Sequence, residues 1–227
     1  MKALFVNGSP RKNWTTFKML ESAMKGAIDA GADAEMIHLY DFAFKGCVSC
    51  LACKLKNAKT NGLCAFKDSL TPILEKAFAA DVLVVGSPVY FDYPTGPVRS
   101  FLERLMFPVL TYNYKTDPET EEIKASILTE TKHTAIIYTM GRDKESMEEC
   151  RYPEILGVNG KFLKLLFGHS ETLCSYNAYQ FGDYSQYDVI EGLEEIRRKH
   201  REEEFPKELQ SAYELGRRLT QLAEKRN

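Results

Sequence analysis

A chain of 227 residues is long for one average domain and short for two, which favours a single domain with insertions. Its 44% hydrophobic and 27% charged residues are those of a soluble globular protein, and a net charge of −2 gives no reason to expect nucleic acid or an anionic membrane surface. No apolar stretch approaches the roughly 20 residues of a membrane helix, and Lys2 followed by four apolar residues is no signal peptide, so a cytoplasmic protein is expected.

The first element is Ala3–Val6, a short apolar run of the kind expected for a strand buried on both faces. It stops at Asn7-Gly8-Ser9-Pro10, and a helical pattern begins at Thr15 or Thr16, with Phe17, Leu20, Met24 and Ala27/Ile28 at spacings of three and four. Strand, polar loop and helix N-terminus aim backbone N–H groups at one point, and such a point attracts phosphate. The loop adds the hydroxyls of Ser9, Thr15 and Thr16, the amide of Asn13 and the guanidinium of Arg11, a set that suits a phosphate monoester better than a carboxylate. The competing reading is an ordinary βα turn with polar caps. No G-x-G-x-x-G and no Walker P-loop is present.

Ala30-Gly31-Ala32 closes a turn, and Ala34–Tyr40 reads as a second strand, with Glu35 and His38 interleaved as on a sheet edge. His38 is expected to be a partly exposed edge residue and not a ligand. Cys47, Cys50, Cys53 and Cys64 then fall within eighteen positions. In a reducing compartment they are not expected to form structural disulfides. C-x2-C-x2-C with a fourth cysteine completes a ligand set for a [4Fe–4S] cluster. Empty thiols, zinc and a redox disulfide stay open, although zinc sites usually show two cysteine pairs and not a triplet. Cys150 and Cys174 are expected to pack as small hydrophobes.

A helix follows from Asp68 or Leu70 to Ala80, capped by Asp68/Ser69, with Pro72 in its first turn. Asp81–Val85 is the strongest strand signal and reads as central in a parallel sheet. Gly86–Pro97 is a loop dense in proline, glycine and aromatics, and Val98–Leu105 resumes a helix. Met106–Thr131 reads as an irregular polar insertion, with Tyr112, Tyr114 and the acidic run Asp117–Glu122, able to cover a site or mediate a subunit contact. Lys132–Met140 is a fourth strand ending in Gly141-Arg142, Asp143–Pro153 a charged loop, Lys161–Phe167 a short amphipathic helix and Glu171–Ala178 a fifth strand. From Ile190 two charged helices close the chain, the second with Leu209, Ala212, Leu215, Leu219 and Leu222 along one face. The mixed-sign run Arg197–Glu204 is read as solvated surface.

Strands alternating with helices imply an α/β fold, a doubly wound parallel sheet with ligands beyond its carboxyl ends. Three loops leave those ends: Gly8–Thr16, Ser87–Pro97 and Thr139–Arg142. A phosphate site beside an aromatic slot suits a flat ring bearing a phosphate tail.

Gly8-Ser-Pro-Arg-Lys-Asn-Trp-Thr-Thr16 resembles the G-S-P-R-x-x-G-N-T phosphate loop of the flavodoxin-like NAD(P)H-dependent FMN reductases, with Trp14 and Thr15 where the family has Gly-Asn. Ser87-Pro-Val-Tyr-Phe91, Thr95-Gly-Pro97 and Phe101-Leu-Glu-Arg104 resemble its second flavin loop and the helix after it, and the cysteine cluster resembles the iron–sulfur flavoprotein branch. The matching motifs run from residue 3 to about 105, with a weaker match at 133–142. The resemblance implies one flavodoxin-like FMN-binding domain over 1–227, with a five-stranded sheet in the order 2-1-3-4-5. To this it adds a Cys-rich insertion at 46–64, an insertion after the third strand's helix, and a C-terminal helical extension from about 188 to 227.

It also implies FMN, with the phosphate on Ser9, Arg11, Asn13, Thr15, Thr16 and Phe17. The ring would lie along Pro88, Val89, Tyr90 and Phe91, closed on the other side by Thr139, Met140 and Gly141. Electrons would pass from NAD(P)H to a quinone or similar small acceptor in ping-pong fashion, with no catalytic side chain required. A homodimer or homotetramer is expected, with no nucleic-acid or membrane partner. The alternatives are an iron–sulfur flavoprotein or flavodoxin-like carrier serving a protein redox partner, and a phosphate or nucleotide sensor on the same fold.

Overall fold

The computed structural model describes residues 1–116, 118–119, 121 and 123–225. Asp117, Thr120 and Glu122 of the acidic run lie outside the described residues. The parallel strands are β1 (Lys2–Asn7), β2 (Asp33–His38), β3 (Val82–Tyr90), β7 (Lys132–Thr139) and β8 (Gly168–Ser175), and a two-residue β4 (Tyr93–Pro94) turns back on β3. Their order, β2-β1-β3-β7-β8, is the expected 2-1-3-4-5. Val6 stands beside both Ile37 and Val85, and Val84 beside Ala135, so the most apolar segments meet at the centre.

Alternate strand residues feed two cores, as the two-residue period of a strand requires. Leu4, Val6, Leu83, Val85, Ile136 and Tyr138 face α2 (Thr71–Ala79), α3 (Gly96–Val109) and α5 (Tyr152–Phe167). Ala3, Phe5, Val82, Val84, Ala135 and Ile137 face α1 (Thr15–Asp29) and α7 (Phe205–Glu224). Those two helices touch backbone to backbone: a Cβ on Gly26 would lie 2.0 Å from the Tyr213 carbonyl oxygen, and one on Gly216 1.9 Å from that of Ala23. The last helix therefore covers a sheet face, and α6 (Leu193–Glu203) leads into it.

Several boundaries differ from the sequence reading. The stretch expected to be irregular carries α3 on through Pro108 to Val109 and then a hairpin, β5 (Leu110–Thr116) with β6 (Ile123–Ser126). Its residues are mostly exposed, so no alternation of apolar and polar residues marks it in sequence. The charged segment 143–153 is not a loop but holds α4 (Lys144–Glu149), capped by Asp143, whose Oδ1 accepts the Ser146 N–H at 2.8 Å. Helix α5 starts at Tyr152, not Lys161, with Pro153 in its first turn where a missing N–H costs nothing. Strand β8 is shifted toward the N-terminus of the expected segment. Cys150 is exposed, with Arg142 donating to its sulfur at 3.1 Å, whereas Cys174 packs against the core as expected. No helix among the described residues is long and apolar enough to cross a membrane.

Candidate functional site

The loop after β1 is built on Asn7. Its Oδ1 accepts the Ser9 N–H at 3.0 Å, and Ser9 Oγ accepts the Arg11 N–H at 3.1 Å, a run of side-chain turns that curls the chain over the strand end. Asn7 Nδ2 lies 3.0 Å from His38 Nδ1, and the imidazole stacks on Phe17 with centroids 5.8 Å apart. Burial, then the charge of Lys12, pushes His38 below its ordinary value, so the ring is the neutral acceptor that the Asn7 amide needs. His38 is half-buried, as expected of a residue on the edge strand.

Buried bonds lock this loop to the next. Gly8 N–H donates to the Gly86 carbonyl at 2.8 Å, Thr95 Oγ1 donates to the Gly8 carbonyl at 2.8 Å, and Thr95 N–H donates to Ser87 Oγ at 3.0 Å. Only glycine fits at position 8, because a Cβ there would lie 1.9 Å from Val98 Cγ2. The N-terminus of α1 has no side-chain cap and no carboxylate in its first turn, leaving the arrangement that favours an anion.

Strand β3 runs through Pro88 and Val89 to Tyr90, then reverses at Phe91 (φ 47°) and Asp92 (φ 71°). Two left-handed residues in a two-residue hairpin are the type I′ geometry, which glycine and asparagine normally fill. A phenylalanine held there, 97% exposed, is strained backbone carrying an unpacked ring, a combination that points to function. Tyr90 and Tyr93 beside it are also exposed.

The sequence-derived residues separate into groups. Ser9 and Thr16 are buried, Trp14, Thr15 and Phe17 half-buried, and Arg11 and Asn13 exposed. Thr16 Oγ1 is 2.7 Å from Thr139 Oγ1, joining the first loop to the end of β7. Met140 already donates its N–H to Ser175 and accepts from Ala178 N–H, both at 2.9 Å. Arg11 folds back over the Trp14 ring at 4.6 Å and donates to the Gln180 carbonyl. The substituted Trp14 is thus a platform for the loop's own arginine.

Arg197 corrects the sequence reading of its run as solvated surface. It is 7% exposed, and it donates to Gly141 O at 3.1 Å and to Gln180 Oε1 at 2.5 Å. Gln180 therefore joins Arg197 on α6 to Arg11 in the first loop. No spacing announced this, because its partners lie far off in sequence.

Cys47, Cys50, Cys53 and Cys64 line one concavity with Phe66, Arg104 and Phe107. Among the described residues, no three His, Cys, Asp or Glu side chains are grouped so that they could hold a metal ion. All four are free thiols, and burial pushes that of Cys53 up while neighbouring Lys54 pulls it down. Lys54 Nζ is held by the carbonyls of Phe107 and Leu110. Arg104, 1% exposed, donates to Lys45 O at 3.1 Å, Phe66 O at 2.7 Å and Asp68 Oδ2 at 2.6 Å, so it grips both ends of the insertion. Burial alone would raise the Asp68 carboxyl, but Arg104 and the N–H groups of Leu70 and Lys45 hold it below its ordinary value. Four thiols with two cations beside them are a donor set whose charge suits a thiolate-bound cluster.

Residues 1–128 match the profile of the NADPH-dependent FMN reductase family. An iron–sulfur flavoprotein of Archaeoglobus fulgidus is 40% identical over 104 residues, 46% of this chain and 48% of that protein. One of Methanosarcina thermophila is 30% identical over 104 residues, 46% of this chain and 52% of that protein. The chain thus spans about half the length of the curated relatives it matches. A solved NAD(P)H:quinone oxidoreductase from Methanothermobacter marburgensis aligns over 96% of this chain and 98% of its own, with TM-score 0.62 and 19% identity. An azoreductase from Bacillus anthracis aligns over 96% and 99%, with TM-score 0.63 and 16% identity. The fold is flavodoxin-like.

Proposed function

Because the chain belongs to the NADPH-dependent FMN reductase family, we propose that it is an FMN-dependent oxidoreductase carrying electrons from NAD(P)H to a quinone or another small acceptor. What supports the reading most is the junction of loops: an uncapped α1 N-terminus bonded through Gly8, Gly86 and Thr95 to a strained, exposed aromatic hairpin. That is a phosphate cradle fixed beside a surface for a flat ring. FMN, when bound, supplies the hydride chemistry.

The chain binds and orients. Ser9, Arg11, Asn13, Thr15, Thr16 and the amides up to Phe17 hold the phosphate end. Pro88–Phe91 support the ring on one side, and Thr139, Met140 and Gly141 close the other. No side chain is required as an acid or base. The exposed Tyr90, Phe91 and Tyr93 are covered by a second copy of the chain in a homodimer or homotetramer.

A second reading, an electron-transfer iron–sulfur flavoprotein serving a protein partner, is favoured by the four thiols sharing one concavity with Arg104. There Cys47, Cys50, Cys53 and Cys64 would hold a [4Fe–4S] cluster, which supplies one-electron transfer.

Initial rates of NADPH oxidation by the FMN-loaded protein, with a soluble naphthoquinone varied, test the first reading. Parallel double-reciprocal lines are expected. Intersecting lines contradict the ping-pong scheme, and turnover only with a protein acceptor favours the carrier.

A further inference from the structure

We propose that a second cleft beside the phosphate loop binds a nucleoside phosphate, and that its occupant is the adenosine 2′-phosphate end of the nicotinamide donor. The identity of the occupant rests on the oxidoreductase reading, whereas the cleft itself does not. The cleft has a volume of about 340 Å³, within the usual range for small-ligand sites. It shares Asn13, Trp14 and Thr15 with the phosphate loop, but none of Pro88–Phe91 or Thr139–Gly141 lines it. It is therefore distinct from the surface assigned to the flavin ring.

Its walls are aromatic. Trp14 stands on one side, Tyr176, Tyr179 and Phe181 come from the segment after β8, and Phe205 opens α7. Aromatic faces of this kind take a nucleobase by stacking. The wall is preformed, because Ala178 N–H donates to Met140 O at 2.9 Å and the Gln180 carbonyl accepts from Arg11.

Two cations, Lys18 and Arg201, line it together with the imidazole of His200, and no carboxylate does. Two carboxylates make hydrogen-bond or ion-pair contacts with lining residues, and Glu204 and Glu148 act on His200 and Tyr176 through their charge. Glu208 lies 3.3 Å from His200 and also accepts from Ser175 Oγ and Tyr176 N–H, while Glu194 accepts from the Tyr179 hydroxyl at 3.1 Å. Arg201 lies over the Tyr179 ring at 5.0 Å, and neither Arg201 nor Lys18 has a carboxylate partner among the described residues. Two uncompensated cations on an aromatic slot match a planar base bearing phosphate.

Trp14 is the chain's one tryptophan, so its fluorescence reports on this wall. The FMN-loaded protein is titrated with 2′,5′-ADP, which carries the adenosine end of NADPH without its redox chemistry, and in parallel with 5′-AMP. Saturable quenching by 2′,5′-ADP is expected. Lys18→Ala with Arg201→Ala should weaken it about tenfold, as loss of charge-assisted bonds to phosphate implies, and raise the KM for NADPH alike with kcat and FMN content unchanged. Arg201→Lys, which keeps the charge, should retain most of the affinity.

Equal binding of 5′-AMP with an unmoved KM overturns the donor assignment in favour of a free nucleotide. No quenching by either nucleotide, or quenching that the double variant leaves intact, overturns the cleft. Loss of FMN from the double variant makes the cleft part of the flavin site and overturns its independence. A wild-type protein that takes up no FMN defeats the oxidoreductase reading, yet the same 2′,5′-ADP titration still reads the cleft.

Discussion

The loops after β1 and β3 and the cysteine segment are held in different ways. The phosphate loop and the aromatic hairpin are joined by a set of buried bonds, through Gly8, Ser87 and Thr95 and through the Thr16–Thr139 pair. The insertion at 46–64 depends on Arg104 at its two ends, Lys54 in its middle and little regular structure between, with Ser49, Leu51 and Asn61 all in left-handed conformations. The loop pair is built on strand ends; the segment of thiols is tied on by a few cations.

Arg104→Ala has the largest expected effect. Removing one partner of a buried ion pair with three acceptors is expected to cost about 3–5 kcal/mol, read as a fall in the urea midpoint. A loss under about 1 kcal/mol, the value of a surface pair, would show that the insertion is held otherwise.

Gly8→Ala attacks the other region. Its Cβ would meet Val98 Cγ2 at 1.9 Å and the Gly86 carbonyl oxygen at 2.9 Å, so a cost of about 1–3 kcal/mol and weaker FMN uptake are expected. Val98→Ala on the same chain should restore part of both. Strict additivity of the two substitutions would deny the contact.

The smallest effect is one of pH. Folded His38 binds protons less readily than the ordinary value of 6.5, so its contribution to stability is full above that value and is lost as pH falls through the folded one. His38→Gln should flatten that part of the stability profile, measured by urea unfolding at a series of pH values. An unchanged slope would mean that the imidazole is not held neutral by Asn7 and its surroundings.

The sheet was legible because β1 and β3 are buried on both faces and read as continuous apolar runs, each ending in a cluster of turn residues. The hairpin of β5 and β6 was not, since its mostly exposed residues leave no periodic trace. Arg197 was hidden in a run of charges, its burial decided by Gly141 and Gln180 elsewhere in the chain. Arg104 did leave a signal. It lies three residues after Phe101 and four before Pro108, on the buried stripe of α3, and a cation on such a stripe must find an acceptor.

The proposed flavin at the three-loop junction is best tested by the visible absorption spectrum of protein purified without oxygen, before and after dithionite. A two-banded flavin spectrum that bleaches on reduction is expected, riding on a broad reducible absorbance where the four cysteines carry a cluster. A colourless protein that also fails to take up added FMN would contradict that proposal.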